Sequence, residues 1–291
     1  MPKVESLKKT GVYLVLILMA MFILFPMAWM VITSIKLRKD AFTISFIPFL
    51  QFEPTLNNWI SELSLTGRTG IAAAAAGPRN YKAMIDSTII GLSSAALATL
   101  LGIFAGYALA RYEFKKWKNI DIITFFLSLR FLPPISVAIP FYVMVKYANL
   151  FDTHLAVILI HTACFMPYAV LVLRDSFKSL PVEIEEAAMV DGASVLTILW
   201  RIALPLVAPA IAAVFILLFA FSWNEFLLAF ILTSSAVIPM PVRLASTVAT
   251  EGALVWIVCV RQILGILPPL LLAILIHRYI VTGLTLGAIK G

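Results

Sequence analysis

The sequence predicts an all-α membrane protein with about six transmembrane helices, and two observations lead to this fold class. Of its 291 residues, 62% are hydrophobic and only 13% are charged, whereas about a quarter of the residues in a soluble domain carry a charge. A soluble core could not bury so much apolar surface, so lipid is the expected solvent. In addition, six apolar stretches are each long enough to cross about 30 Å of hydrocarbon at a helical rise of about 1.5 Å per residue.

The predicted spans cover residues 12–35, 87–110, 120–145, 155–173, 206–232 and 256–282. Three lysines precede the first span, but its apolar run is too long for a signal peptide and no small-residue cleavage site follows it, so we expect a retained helix. The last two spans are long enough to predict tilt or interfacial ends. The chain therefore divides into residues 1–35 with the first span, an external loop 36–86, and a core of five spans in 87–291, including the tail 283–291.

The net charge of +7 does not predict nucleic-acid binding, because the basic residues lie between apolar runs and form no basic domain of their own. An even number of spans places both termini on one side of the membrane. If that side is cytoplasmic, twelve Lys and Arg residues lie inside and nine outside, six of the nine in the long loop 36–86. Long loops weigh less in the positive-inside rule, so the charges favour cytoplasmic termini.

Helix breakers and small residues mark several spans. Broken helices are predicted in two spans, at Pro133, Pro134 and Pro140 in the third and at Gly265, Pro268 and Pro269 in the sixth. A membrane tolerates a broken helix only against protein or a water-filled cavity. The alternative is that these residues simply kink the helices. Gly102 and Gly106 in the second span would allow close helix packing.

Cys164 and Cys259 form no disulfide or metal pattern and are expected to be free thiols. Segment 66–79, with its alanine tract, is expected to be an insertion of the external loop.

The segment 174–205, between the fourth and fifth spans, differs from every other loop. Pro181 is a good helix-opening residue, and Glu183, Glu185 and Glu186 complement the positive end of the helix dipole that follows. Gly192 can end this helix in a left-handed conformation. A second short helix over 194–202 then leads into the fifth span, so the sequence predicts a helix–glycine–helix elbow across one face of the membrane.

The spacing within this elbow resembles a known family. Glu186-Ala187-Ala188, three residues, Gly192, nine residues and then Ile202-x-Leu204-Pro205 are similar to the EAA loop of ABC-importer permeases. Further segments resemble the carbohydrate-uptake branch, and within it the second permease of maltose importers: residues 130–134, 139–140, 223–226, 267–269 and 283–291. The resemblance covers residues 87–291 well and the first span loosely.

The resemblance implies a type I ABC importer permease that forms half of a translocation pathway and works by alternating access. It implies a second permease, a cytoplasmic ATPase dimer that binds ATP and Mg²⁺, and a periplasmic or lipid-anchored sugar-binding protein. No cofactor is expected in this chain, which would lie in a bacterial inner membrane with both termini cytoplasmic. The elbow is the expected coupling helix, through Glu183, Glu185, Glu186, Ala187, Ala188, Asp191, Gly192, Leu204 and Pro205, and the tail is a second ATPase contact through Thr285, Gly287, Lys290 and Gly291.

Polar residues inside the spans are candidates for the substrate path. Arg130 lies about ten residues into the third span, roughly 15 Å deep, where an ionisable side chain is costly. His161 and Glu225 fall at matching depths and could pair, Trp223 could stack on a sugar, and Asn224 is a further candidate for the same path. The alternative is a structural hydrogen-bond network. Among external residues, the resemblance suggests Thr247, Thr250 and Glu251 as contacts of the binding protein, or else a plain interfacial helix.

Two other functional classes are alternatives for a chain with about six apolar spans. An intramembrane metalloprotease needs a His-Glu-x-x-His pattern, and none of the three histidines is so spaced. The Gly-x-Ser-x-Gly elbow of a serine enzyme is also absent from the sequence. The phosphate-binding loop that a self-sufficient ATP pump would need is absent as well. A secondary transporter needs carboxylates at depth and usually an internal repeat. Glu225 is the only acid clearly inside a predicted span, so this alternative is weaker but stays open.

Overall fold

The computed structural model describes residues 2–63, 77–251 and 254–285, with side chains for 11–63, 80–246 and 254–275. The described residues are helical over most of each predicted span, with breaks at residues 130–133 and 225–226, and they form no β-sheet. Five of the helices are long and apolar enough to cross a membrane, and a sixth crossing results if one bent pair counts as a single span. The all-α membrane fold with about six spans is therefore confirmed.

The helices follow the chain in this order: α1 Pro2–Ser34, α2 Asn57–Leu63, α3 Gly77–Arg111, α4 Asn119–Leu129, α5 Pro134–Tyr147, α6 His154–Lys178, α7 Val182–Val190, α8 Val195–Ile198, a π-helical turn Leu199–Ala203, α9 Leu204–Asn224, α10 Leu227–Leu232, α11 Met240–Glu251 and α12 Val255–Thr285. They divide into two compact units. The first unit comprises Met1–Tyr81 and Leu244–Ile266, and the second comprises Lys82–Arg243 and Leu267–Gly291.

The first unit gives the external loop more structure than its irregular sequence indicates. Lys36 is fully buried, with its ammonium 4.4 Å from the Trp29 ring centroid and 5.3 Å from that of Phe52. Its Nζ donates to the Thr43 carbonyl at 3.0 Å. Burial lowers the pKa of Lys36, and the charge of Asp40 partly opposes this shift. The aromatic rings and the carbonyl replace the water that this cation loses.

A second buried charge organises the same unit. Arg261 of α12 donates to both carboxylate oxygens of Glu62 in α2, at 2.7 and 3.0 Å. Both side chains are almost fully buried, and Asn80 also donates to Glu62. The sequence places Arg261 among the external charges, but this pair joins residues 199 positions apart, a contact that no local pattern reveals.

Close packing of α3 against α6 forms part of the second unit. A Cβ at Gly102 would overlap the side chain of Ala169, and a Cβ at Gly106 would lie 2.9 Å from the backbone nitrogen of Arg174. The two glycines therefore let the backbones approach, as the small-residue spacing predicts. Helix α3 also begins earlier than the predicted span, because Lys82 and Asp86 neutralise each other at 2.9 Å within the helix.

The predicted helix breaks are partly wrong. The third span is two helices, α4 and α5, that meet at 93° across Pro133-Pro134, whereas Pro140 lies inside α5. The sixth span is not broken: α12 stays helical through Pro268 and Pro269. Proline removes a hydrogen bond but does not force a break where the helix is otherwise supported. The fifth span ends instead at Asn224, and Glu225 and Phe226 separate it from α10.

Candidate functional site

The elbow between α6 and α9 has the predicted architecture. Helix α7 starts after Pro181 and ends at Val190, with Asp191 as its C-cap. Gly192 follows with φ of +82°, a region that residues other than glycine rarely adopt. The hydroxyl of Ser194 caps α8 by accepting from the Thr197 amide at 3.3 Å. Beyond α8 the structure differs from the prediction, because the π-helical turn continues into α9 and no break precedes Leu204-Pro205.

One acid of the elbow is buried and ties it to the membrane helices. Glu185 accepts hydrogen bonds from the Tyr107 hydroxyl at 2.8 Å and from Arg111 at 2.8 and 2.9 Å. Tyr107 in turn packs edge-on against Phe177 at a centroid distance of 5.3 Å. Two nitrogens of Arg111 donate to one carboxylate oxygen of Glu185 and the Tyr107 hydroxyl donates to the other. These charge-assisted hydrogen bonds fix α7 to the end of α3.

The opposite face of the elbow is open. Glu183, Glu186 and Ala187 are exposed, as are Asp191 and Gly192, while Ala188 and Leu204 are half-buried and Pro205 is exposed. Several large apolar side chains on the same segment are also open, including Val190, which is 88% exposed, and Leu196, which is 62% exposed. A short helix with open apolar side chains and ordered ends is suited to a groove on a partner.

A buried polar chain lies within the helices of the second unit. His161 of α6 is fully buried, with Nε2 3.2 Å from a carboxylate oxygen of Glu225 and Nδ1 2.8 Å from the Ser222 hydroxyl. The carboxylate can only accept, so Nε2 carries the proton. Ser94 extends the chain to α3 through a 2.8 Å hydrogen bond to Ser222. The predicted pairing of His161 with Glu225 is thus present.

Glu225 also stabilises the break between α9 and α10. Its two oxygens accept from the amides of Leu228 and Ala229 at 2.9 and 3.0 Å, which caps the short helix α10. The glutamate therefore has a structural role whether or not it contacts a substrate.

A cavity of about 360 Å³ opens beside this chain, and Glu225 forms part of its wall. Arg130, at the end of α4, forms another part, and its guanidinium lies 4.2 Å from the Tyr168 ring centroid. Phe165 and Cys164 also line the cavity. A donor, an acceptor and aromatic faces around one space are the groups that bind sugar hydroxyls and rings. Tyr168 is missing from the sequence predictions because tyrosines in apolar spans have no distinguishing pattern.

Trp223 does not fit the role predicted for it. Its side chain is only 2% exposed, and it packs against Phe219 at a centroid distance of 5.5 Å. The ring is therefore not available for a sugar to stack on in this structure. Asn224 is exposed, but its amide donates to the Ala220 carbonyl of its own helix at 2.8 Å.

Two aspartates hold the loop that precedes α11. Asp152 accepts from four consecutive amides, those of residues 234–237, at 2.8–3.1 Å. Burial tends to raise the pKa of Asp152, but the four hydrogen bonds outweigh it and lower the pKa to about 2. Asp86 accepts from the Ile238 amide at 2.9 Å and lies 2.9 Å from His154. Neither aspartate stands out in the sequence, because their partners lie 82–85 and 152 positions away.

Several predicted contact residues lie beyond what the structure describes. Gly287, Lys290 and Gly291 are outside the described residues, as is most of the 66–79 segment. Thr285 ends α12, and Thr247, Thr250 and Glu251 belong to α11, but the side chains of these four residues are not described. Among the described residues, no group of three His, Cys, Asp or Glu side chains is arranged to hold a metal ion.

The spans, the lined cavity and the ordered elbow together define a multi-pass membrane transport subunit. The chain belongs to the family of binding-protein-dependent transport system inner membrane components, which it matches over residues 98–285.

Two curated relatives and one solved structure agree with this assignment. The chain is 32% identical to the trehalose/maltose transport system permease protein MalG of Thermococcus litoralis, over 99% of both chains. It is 30% identical to the sulfoquinovosyl glycerol transport system permease protein SmoH of Agrobacterium fabrum, over 92% of this chain and 89% of the relative. Its fold resembles a chain of a bacterial ABC transporter involved in import of the acidic polysaccharide alginate, with a TM-score of 0.75 at 19% identity, over 95% and 97% of the chains.

Proposed function

We propose that this chain is one of two permease subunits of an ATP-driven sugar importer. The observation that carries the proposal is the elbow, in which Glu185 is anchored to Arg111 while the outer face of α7 and α8 stays open. Sugar as the cargo is supported by the named substrates of the two relatives and by the donor, acceptor and aromatic groups of the cavity. The membrane is a bacterial inner membrane, with both termini cytoplasmic.

The elbow transmits the movement of a cytoplasmic ATPase dimer. That dimer binds ATP and Mg²⁺, and this chain contributes only the docking helix. Val190 and Leu196 provide open apolar area, and Glu183, Glu186 and Asp191 provide charge at the edge of the contact. Because two nitrogens of Arg111 hold one carboxylate oxygen of Glu185, a displacement of α7 is passed directly to α3. Closure of the ATPase then switches the two permeases between inward-facing and outward-facing states.

The substrate path runs past the cavity of Arg130, Tyr168 and Glu225. On the opposite side of the membrane, the loop held by Asp86 and Asp152 leads into α11, which carries the predicted binding-protein contacts at Thr247, Thr250 and Glu251. The C-terminal residues Thr285, Gly287, Lys290 and Gly291 remain a proposed second contact with the ATPase. A sugar-binding protein, periplasmic or lipid-anchored, delivers the cargo.

Purification of the tagged chain from its native membrane tests the class of transporter. We expect a stoichiometric complex with a second permease and an ATPase, and sugar uptake in proteoliposomes that requires ATP and the binding protein. Recovery of the chain alone, with uptake driven by an ion gradient, would instead establish a secondary transporter.

The substrate path is tested by Glu225→Ala in the assembled importer. We expect reduced sugar uptake with basal ATP hydrolysis retained, because the change alters the cavity wall and leaves the Arg111–Glu185 pair of the elbow untouched. Asn224→Ala is the matched control, since among the described residues its side chain bonds within its own helix, to the Ala220 carbonyl. Unchanged uptake in Glu225→Ala would exclude the cavity-wall role without affecting the assignment as a permease.

A further inference from the structure

A second, larger pocket lies on the same side of the second unit as the elbow. It measures about 760 Å³ and lies between the end of α3, the start of α4 and the end of α6. The turn between α3 and α4 is ordered by Asn119, whose amide donates to the carbonyls of Leu109 and Tyr112 and accepts from the Phe114 amide. The pocket is therefore framed by ordered backbone at the membrane boundary.

The pocket wall is strongly cationic. It contains five basic side chains and one carboxylate, namely Arg111, Lys115, Lys118, Arg174, Lys178 and Glu113. Arg111 is paired with Glu185, and Arg174 with the exposed Asp175. The three lysines have no ion pair among the described residues, so the wall keeps an excess of positive charge that this part of the chain does not neutralise.

Arg174 provides a second indication that the pocket takes an anion. Its Nε–H is buried and has no hydrogen-bond acceptor among the residues that the structure describes. A buried donor without an acceptor is unfavourable, and a guanidinium has five donors in a planar fork suited to phosphate oxygens. An incoming phosphate oxygen would supply the acceptor that the Nε–H of Arg174 lacks.

The rim of the pocket indicates where the anion comes from. Tyr112, Phe114 and Trp117 are exposed on the same turn, with Trp117 at 60% exposure. Aromatic side chains concentrate at the membrane–water interface, and lysines reach from there towards phosphate groups. We propose that this pocket binds the headgroup of an anionic phospholipid, with the cations on the phosphate and the rim aromatics beside the acyl chains.

The position of the site links lipid to the elbow. Arg111 lines the pocket and also holds Glu185 of α7. A headgroup that neutralises Lys118 and Arg174 stabilises the α3–α4 turn and the end of α6, the two segments that flank this ion pair. Anionic lipid is therefore expected to raise the thermal stability of the chain in addition to binding it.

The test measures retention of phosphatidylglycerol by the chain purified with whatever subunits accompany it. Native mass spectrometry counts bound phosphatidylglycerol during titration against phosphatidylcholine. We expect Lys118→Gln and Arg174→Gln each to weaken retention about fivefold, the effect of one basic residue near an anionic lipid. Lys116→Gln is the matched control, because this lysine lies in the same turn but does not line the pocket. Thermal denaturation confirms that each variant is folded. If Arg174→Gln fails to assemble, Lys118→Gln alone tests the proposal, because Lys118 is exposed.

Three results would overturn the proposal. An equal loss of lipid retention in Lys116→Gln would mean that the basic turn attracts anionic lipid diffusely and that the pocket is not a specific site. Displacement of the lipid by millimolar glycerol phosphate would mean a site for soluble anions. If an accompanying ATPase protects Lys118→Cys from labelling by a maleimide, both with and without anionic lipid, a protein rather than a lipid covers the pocket. Because retention is measured with whatever subunits accompany the chain, failure here leaves the proposed transport function intact.

Discussion

Two glutamates of α7 show how burial separates the roles of neighbouring residues. Glu183 is exposed, whereas Glu185, two positions further along the helix, is buried against Arg111 and Tyr107. The alternation follows from helical geometry, which directs residues two positions apart to different faces. Glu185 is therefore a positioning residue that holds the elbow, and Glu183 is a candidate for direct contact with the ATPase.

Replacing Glu185 with alanine should destabilise the elbow. The change leaves the nearly buried Arg111 without its carboxylate partner. We expect the free energy of unfolding to fall by about 3 kcal/mol. This is the low end for a broken buried pair, because Arg111 still donates to the Leu180 carbonyl at 3.4 Å. Limited proteolysis between α6 and α9 and the thermal midpoint measure the effect. Glu183→Ala is the control and should change neither. Equal behaviour of the two variants would contradict the anchoring role.

Asp152 predicts a dependence of stability on pH. Its folded-state pKa of about 2 lies below the ordinary value of 3.8 for an aspartate, so the carboxylate contributes full stability above about pH 4 and loses it as the pH falls through about 2. Asp152→Asn should thus lower the thermal midpoint at neutral pH, and the difference from the unmodified chain should shrink below pH 4. Asp175→Asn, at an exposed pair, should have little effect. A pH-independent difference would contradict this assignment.

At the scale of the helices, packing decides what prolines and glycines do. Pro133-Pro134 coincides with a 93° change of direction, but Pro268-Pro269 interrupts no helix. The sequence shows the same dipeptide in both spans. The surrounding contacts decide the outcome, because the missing hydrogen bonds can be tolerated where neighbouring groups support the helix.

Gly102→Ala should weaken the packing of α3 on α6. The added Cβ overlaps the Ala169 side chain, and its distance to the Ala169 backbone is only 3.0 Å. Overpacking of this kind costs about 1–3 kcal/mol. Gly11→Ala in α1 is the matched control, since a Cβ there meets nothing within 4 Å, and it should be neutral or slightly stabilising. Thermal unfolding in detergent compares the two, and Gly102→Ala/Ala169→Gly should recover part of the loss.

At the scale of the whole chain, the charge pattern and the proposed function both predict cytoplasmic termini. Two single cysteines, Lys116→Cys and Tyr147→Cys, are introduced into a chain without its two native cysteines. Lys116 lies in the turn between α3 and α4, beside the elbow. Tyr147 lies at the other end of the second unit, and its side chain is 85% exposed. A membrane-impermeant maleimide should label Tyr147→Cys on intact cells, and Lys116→Cys only after permeabilisation. The reverse pattern would invert the topology.

The sequence by itself determined the fold class, the number of spans and the elbow. These depend on apolar run length and on local features such as Pro181 and Gly192, which act through their own backbone. It also predicted that His161 and Glu225 lie at the same depth, because position along a span sets depth.

Only the tertiary structure decided which polar groups meet. It buried Trp223, joined Glu185 to Arg111 and Glu62 to Arg261, placed Tyr168 beside Arg130, and gathered the basic side chains of two distant helix ends around one pocket. Each of these contacts joins residues far apart in the chain, and their existence depends on how helices rotate and pack. Apolar periodicity in membrane spans encodes that rotation weakly, because lipid-facing and protein-facing surfaces are both hydrophobic.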